Sequence, residues 1–321
     1  MAEYSSRLSE PVVAVIGSGS IGTAFALVFA QSGRKVRLQD PDPSRLHAAP
    51  AILEARLREL ERHDLTSEPI AAILARIAFF SKVEVALEDA TYVQECAPEN
   101  LPLKRDLFAL LDAQAAPDAI LASATSAIPA TQFAAELKGR HRCLVVHPGN
   151  PPYLIRVAEV VPASFTDAAT IARTISFLTT CRLAPILVRC EIEGFVFNRL
   201  QGAMLREAYC LVRDGVATVE EIDQIVRDGL GLRWSVVGPF ETADLNTRGD
   251  IAAHAEKMGA AYGRMGRERG QNDPWTPDLV ARVTEERRKV LPLEGWDERV
   301  AWRDRTLMAL VRDRSLRGQS A

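Results

Sequence analysis

Residues 12–33 read VVAVIGSGSIGTAFALVFAQSG, and no other stretch limits the fold so tightly. Val12 to Ile16 is a continuous apolar, β-branched run, as expected of a strand covered on both faces of a parallel sheet. It breaks at Gly17-Ser18-Gly19-Ser20-Ile21-Gly22, and an apolar helical stretch from Thr23 to Gln31 follows, ending at Gly33. In this spacing Gly17 permits a tight turn, Gly19 lets backbone approach a pyrophosphate, and Gly22 lets helix and strand pack closely. The helix N-terminus offers free N–H groups to the phosphates. The loop residues Gly17, Gly19, Ser20, Ile21 and Gly22 are therefore expected to hold a dinucleotide. A second strand-like run, Lys35 to Gln39, ends in Asp40, eighteen residues past Gly22. An acid there suits the adenosine ribose diol and opposes a 2′-phosphate, so NAD is expected rather than NADP.

Strand and helix patterns alternate from residue 12 to about 190, which predicts a Rossmann-type doubly wound parallel sheet. Strands are expected near 77–80, 91–95, 119–123, 142–146, 157–161 and 184–189. From Gly194 the strand signal disappears. Phe195 to Arg213 reads as one long helix, and Thr218-Val219-Glu220-Glu221 is a capping box for the next, with Gly229 and Gly231 expected to end it. A helix is expected to begin at Thr276-Pro277, and another to span Asp297 to Arg314. The expected organisation is an α/β nucleotide-binding domain over 1–192 and an all-helical substrate-binding and dimerisation domain over 193–321. Apolar Leu307, Met308, Leu310 and Val311 on the final helix suggest a homodimer.

Net charge is −3 over 321 residues, so neither nucleic acid nor an anionic membrane is an expected partner. No apolar run approaches a membrane span, and the first ten residues lack a signal-peptide pattern. Five scattered cysteines without C-x-x-C pairs suit a reducing cytoplasm, and the five histidines are unclustered, so no metal site is expected.

Ligands of open parallel sheets bind beyond the carboxyl ends of the strands. Those ends here are the glycine loop, Asp40, Glu95 to Asn100, Ser123 to Ser126 and His147 to Asn150. His147 is the only histidine in the set, and Glu159, twelve residues later on the next strand, can reach back to it.

In order, GSGSIG, QECAPEN, ATSA, HPGNPPY, a glutamate twelve past the histidine and GFVFNRL resemble the 3-hydroxyacyl-CoA dehydrogenase superfamily over essentially the whole chain. NPPY, GLGLRW, GPFETADLN and WRDRTLMAL look most like its L-gulonate 3-dehydrogenase branch. The resemblance implies an NAD-dependent oxidation of a small L-3-hydroxy acid, L-gulonate foremost. It implies His147 as general base, Glu159 as its orienting carboxylate, Ser126 as a hydrogen-bond partner of the substrate oxygen, and Asn198 as support from the second domain. Glu99, Lys104 and Asn150 match cofactor-contacting positions. Gly149 and Arg156 depart from the family's pattern near the substrate mouth.

A histidine titrating near neutrality suits loss of a hydroxyl proton as hydride leaves. Arg233, after a glycine-flanked helix end, is the candidate clamp for a substrate carboxylate, with Arg156 as its competitor. The alternatives are a short-chain 3-hydroxyacyl-CoA dehydrogenase using Arg56, Arg58 and Arg62 as a CoA phosphate patch, a keto- or diketo-ester reductase, and a crystallin-like structural protein without turnover.

Overall fold

In this computed structural model, which describes residues 12–235, 237–246, 250–269, 278, 289 and 292–316, eight strands form one sheet. They are β1 (Val12–Ile16), β2 (Lys35–Gln39), β3 (Ile77–Phe80), β4 (Ala90–Glu95), β5 (Ile120–Ser123), β6 (Cys143–Pro148), β7 (Val157–Pro162) and β8 (Ala184–Leu187). Their order is β3-β2-β1-β4-β5-β6-β7-β8. Strands β1 to β6 run parallel, but β7 is antiparallel to β6, and β8 is parallel to β7 outside it. The sheet is thus mostly rather than wholly parallel. The short return from His147 to Glu159 has no room for a helical crossover, and antiparallel pairing needs none.

Alternate residues of single strands enter two cores. Leu144 and Val146 of β6 join the layer of Val13, Val15 and Leu38, while Cys143 and Val145 join that of Ala14, Ile16 and Val93. Burial on both faces explains the continuous apolar runs. Helix α1 (Ser20–Gln31) is buried from Gly22 to Ala30, because its sequence is apolar on every side. Helix α2 (Pro43–Arg62) instead buries one stripe, Leu53, Leu57 and Leu60, and Asp42 caps it by accepting from Ser44 N at 2.8 Å. Helices α3 (Ile70–Leu74), α4 (Val83–Leu87), α5 (Leu101–Gln114), α6 (Ala130–Ala134) and α7 (Ala168–Thr180) complete the layers.

The chain divides into two compact units, 1–199 with 301–321, and 200–300. The sequence reading drew one helical domain over 193–321. The C-terminal helix, Trp296–Leu316, instead sends its later residues into the first unit, where Met308 is buried in the core and Leu307 packs beside it. Arg312 pairs there with Asp64 at 2.6 Å. Of the four apolar residues expected to await a second copy, Leu307 and Met308 have partners within the chain, while Leu310 is exposed.

The second unit continues helix α8 (Phe197–Arg213) and contains α9 (Val219–Gln224), α10 (Gly231–Trp234), α11 (Pro239–Asn246) and α12 (Asp250–Arg269). Thr218 and Glu221 form the expected capping box. Gly229 and Gly231 do not end the helix: a π-helical segment, Ile225–Leu230, carries it into α10. Arg269 of α12 bridges Glu207 (3.0 Å) and Asp214 (2.5 Å) of the α8 region. Hydrogen bonds from Arg213 and Arg269 hold the Asp214 carboxyl down at about 2. The helix expected to begin at Thr276-Pro277 lies outside the described residues.

Candidate active site

The three glycines of the first loop have three separate steric reasons. Gly17 has φ +102°, and a Cβ there would lie 2.7 Å from the Cys96 carbonyl oxygen. A Cβ on Gly22 would lie 1.8 Å from the carbonyl oxygen of Gly17, so only glycine lets α1 start this close to β1. At Gly19 a Cβ would meet nothing within 4 Å. That open space lies at the N-terminus of α1 beside Ser20 and Ile21, where a pyrophosphate needs room and free N–H groups. The residues present fit a dinucleotide.

Asp40 ends β2 beside this loop and is 3% exposed. Its Oδ2 accepts from Ser18 N (2.7 Å) and Ser18 Oγ (3.0 Å), and its Oδ1 accepts from Asp42 N (3.0 Å). Ser18 was not singled out from the sequence, yet it ties the acid to the glycine loop. A carboxylate has about four lone-pair sites, so room remains for a ribose hydroxyl.

At the end of β4, Glu95 is fully buried and accepts from Lys104 Nζ on both oxygens at 2.9 Å. Lys104, matched from the sequence to a cofactor contact, is 1% exposed, and its nearest partner is this glutamate, which the sequence marks as a strand-end candidate without a partner. Glu99 lies 3.9 Å from the same ammonium. Its Oε1 accepts from Thr125 Oγ1, Ser126 N (3.2 Å) and Ala127 N (3.1 Å), so Glu99 organises the loop that carries Ser126. Ser126 is exposed, and its carbonyl accepts from Asn198 Nδ2 at 2.9 Å. Asn198 belongs to the first unit, not to the second as expected. An acid at the carboxyl end of a strand is the signal that marks Glu95 in the sequence, since burying it demands a cation.

His147 and Glu159 are register partners on β6 and β7, which turns their twelve-residue separation into direct opposition across the ladder. His147 Nδ1 lies 2.7 Å from Glu159 Oε2, with the residues 7% and 3% exposed. Ionised glutamate only accepts, so Nδ1 carries the proton it donates, and Nε2 is left with a lone pair. Glu159 Oε1 accepts from Val196 N (2.7 Å) and Phe197 N (3.0 Å). Gly194 (φ +74°) and Phe195 (φ +49°) both adopt left-handed backbone, which aims these two amides at one oxygen. Burial opposes ionisation of Glu159, but hydrogen bonds from His147, Phe197 and Val196 outweigh it and hold the carboxyl below its ordinary range. Phe195 (5.7 Å between centroids) and Phe197 (6.2 Å, edge-on) flank the imidazole. The sequence pointed to Phe195 as helical; its strained backbone is what builds the carboxylate's cradle.

Asn150 is exposed after β6, and the departure at Gly149 has a local reason: a Cβ there would lie 2.4 Å from Ile155 Cγ2. Arg156 immediately precedes β7, and its carbonyl accepts from Ala184 N at 2.7 Å. Burial, helped by the like charge of Arg182, depresses its guanidinium pKa. Arg233 is exposed on α10 of the second unit. The arginines of the alternative CoA patch each have a partner within the chain, two of them in exposed surface pairs. Arg56 donates to Thr23 Oγ1 (2.8 Å) and lies over the Tyr153 ring, Arg58 pairs with Glu54, and Arg62 with Glu59.

A dinucleotide loop and a buried imidazole–carboxylate pair, both at the carboxyl edge of one sheet, are the arrangement of an NAD-dependent dehydrogenase. The chain belongs to the 3-hydroxyacyl-CoA dehydrogenase family. Its NAD-binding domain is matched over residues 12–191 and its C-terminal domain over 194–289. A lambda-crystallin homolog of Bos taurus is 36% identical over 307 residues, covering 93% of this chain and 94% of its own length. An L-carnitine dehydrogenase of a Pseudomonas species is 35% identical over 308 residues, covering 93% and 92%. Among solved structures, 5-formyl-3-hydroxy-2-methylpyridine 4-carboxylic acid 5-dehydrogenase, an NAD+-dependent dismutase, superposes with a TM-score of 0.82 at 26% identity, covering 97% and 99%. NAD is the cofactor, and the chain is an NAD-dependent hydroxy-acid dehydrogenase. Among the described residues no helix is long and apolar enough to cross a membrane.

Proposed function

We propose that the enzyme oxidises the 3-hydroxyl of a small, free L-3-hydroxy acid to the 3-keto acid, with L-gulonate the leading substrate. The observation that carries this reading is the His147–Glu159 pair, whose geometry leaves Nε2 able to take a proton. In the step proposed, the substrate hydroxyl passes its proton to His147 Nε2, and Glu159 stabilises the imidazolium that forms. Ser126 and Asn198 hydrogen-bond the reacting oxygen, stabilising the charge that develops on it in either direction. NAD, when bound, supplies the hydride acceptor. Gly17, Gly19, Ser20, Ile21 and Gly22 would hold its pyrophosphate, Asp40 its adenosine ribose, and Glu99, Lys104 and Asn150 its remaining polar groups. Asp40 selects against a 2′-phosphate.

Arg56 donates to Thr23 Oγ1 and lies over the Tyr153 ring, which supports a free acid over a CoA thioester, since the fold already holds this arginine. The L-carnitine dehydrogenase relative supports it too, because carnitine is itself a free 3-hydroxy acid. Arg233 is the proposed carboxylate clamp of the helical domain. Exposed Leu200, Val216, Ile225, Leu232 and Phe240 of that domain support a homodimer, tested by light scattering at micromolar concentration. The five free cysteines suit a cytoplasmic enzyme.

The test is NADH formation with L-gulonate, L-3-hydroxybutyrate and 3-hydroxybutyryl-CoA. Turnover of the free acids, gulonate fastest, is expected. Turnover of the thioester alone would overturn both the free-acid reading and the clamp.

A further inference from the structure

Glu95 touches neither His147 nor Ser126, yet two loops of the sheet's carboxyl edge and helix α5 meet on it. Its Oε1 accepts from Ala97 N at 2.7 Å, which shapes the turn lying against Gly17. Its backbone carbonyl accepts from Ala124 N at 2.8 Å, and its Oε2 accepts from Ser123 Oγ. Ser123 Oγ accepts in turn from Thr125 N at 3.2 Å, and Thr125 Oγ1 accepts from Ile128 N at 3.0 Å while donating to Glu99. Both oxygens also hold Lys104, whose ammonium faces Glu99. Two routes therefore run from Glu95 to Ser126, one through Ser123 and Thr125, the other through Lys104 and Glu99. They close a ring around the serine loop.

A buried carboxylate with an ammonium is a weak device for stability alone, because desolvation offsets most of the attraction. It is a strong device for orientation, since each misplaced member leaves a buried charge unsatisfied. We propose that Glu95 is a positioning residue of the reaction, fixing Ser126 through Ser123–Thr125 and through Lys104–Glu99. This rests on the reading of Ser126 as a partner of the reacting oxygen. A loop held this way keeps the serine hydroxyl at one place while substrate enters, so the charge that develops on oxygen meets a donor already aligned.

Two variants separate this from a merely structural role. Glu95→Gln removes the charge at constant shape and is expected to lower kcat at least as far as Ser123→Ala, which cuts the Ser123–Thr125 route and leaves the Lys104–Glu99 route whole. If Glu95→Gln fails to fold, Ser123→Ala carries the test. Ser123→Ala is expected to lower kcat by about tenfold with NADH affinity, from fluorescence titration, within about threefold and the thermal midpoint nearly unchanged. The acid limb of its pH–rate profile should stay in place, because His147 and Glu159 are untouched. In a Ser126→Ala background the same substitution should cost less than about twofold, since both act on one group. An equal loss in both backgrounds, or a loss in NADH affinity matching that in kcat, would overturn the proposal. An undiminished kcat in Ser126→Ala alone would instead remove the reading of Ser126, and the proposal with it.

Discussion

The glycine loop after β1 and the paired ends of β6 and β7 lie on the same edge of one sheet, and they work by opposite means. The first works by what it lacks: Gly17, Gly19 and Gly22 leave space for a turn, a ligand and a close helix. The second works by what it buries: a charged carboxylate, an imidazole and two aimed backbone amides. Space that only glycine leaves is a steric property and acts on fold and binding. A buried, oriented charge pair acts on a proton, and therefore on the chemical step.

The largest expected effect follows from that contrast. His147→Gln should lower kcat by roughly two to four orders of magnitude with NADH affinity nearly unchanged, as measured by steady-state kinetics and fluorescence titration. Loss of affinity in step with kcat would erase the distinction between the two regions. Within the glycine loop the effects should split again. Gly22→Ala drives a methyl into the Gly17 carbonyl and should destabilise the fold by about 1–3 kcal/mol in denaturant titration. Gly19→Ala meets no protein atom within 4 Å, so its thermal midpoint should hold while NADH affinity falls. A Gly19→Ala enzyme that binds NADH normally would show that the pyrophosphate does not use that space.

Asp40→Ser should narrow the preference for NAD over NADP by about tenfold, equivalent to about 1.4 kcal/mol, read as the ratio of kcat/KM values. The hydrogen bonds from Ser18 make the acid part of the loop as well, so some loss with NAD is expected beside it. An effect of similar size, confined to KM, belongs to the second unit. Arg233→Met should raise KM for a free hydroxy acid by about tenfold, the weight of one charge-assisted hydrogen bond, and change thioester kinetics less.

The same contrast governs what could be read from the sequence. GSGSIG is local, its spacing is its geometry, and its place and the reason for each glycine follow from the string. His147 and Glu159 were also legible, but only as a separation of twelve; that β7 runs antiparallel, and so makes them register partners, is a tertiary fact. Two features had no local signature. Met308 is buried among residues of the nucleotide unit, and Phe195 adopts a left-handed backbone inside a stretch of helical pattern. Gly229 and Gly231 misled because glycine commonly ends helices, whereas a π-helical segment carries this one through.

The most direct measurement is the pH–rate profile of Glu159→Gln beside that of the wild-type enzyme. Glu159 is held ionised below the ordinary carboxylate range, so at working pH it stabilises the protonated form of His147. Removing that charge makes the imidazolium harder to form. The acid limb of kcat/KM should then move to lower pH while kcat on the plateau falls. An acid limb that stays where the wild type has it, with kcat unchanged, would contradict the assignment of the reaction's proton to the His147–Glu159 pair.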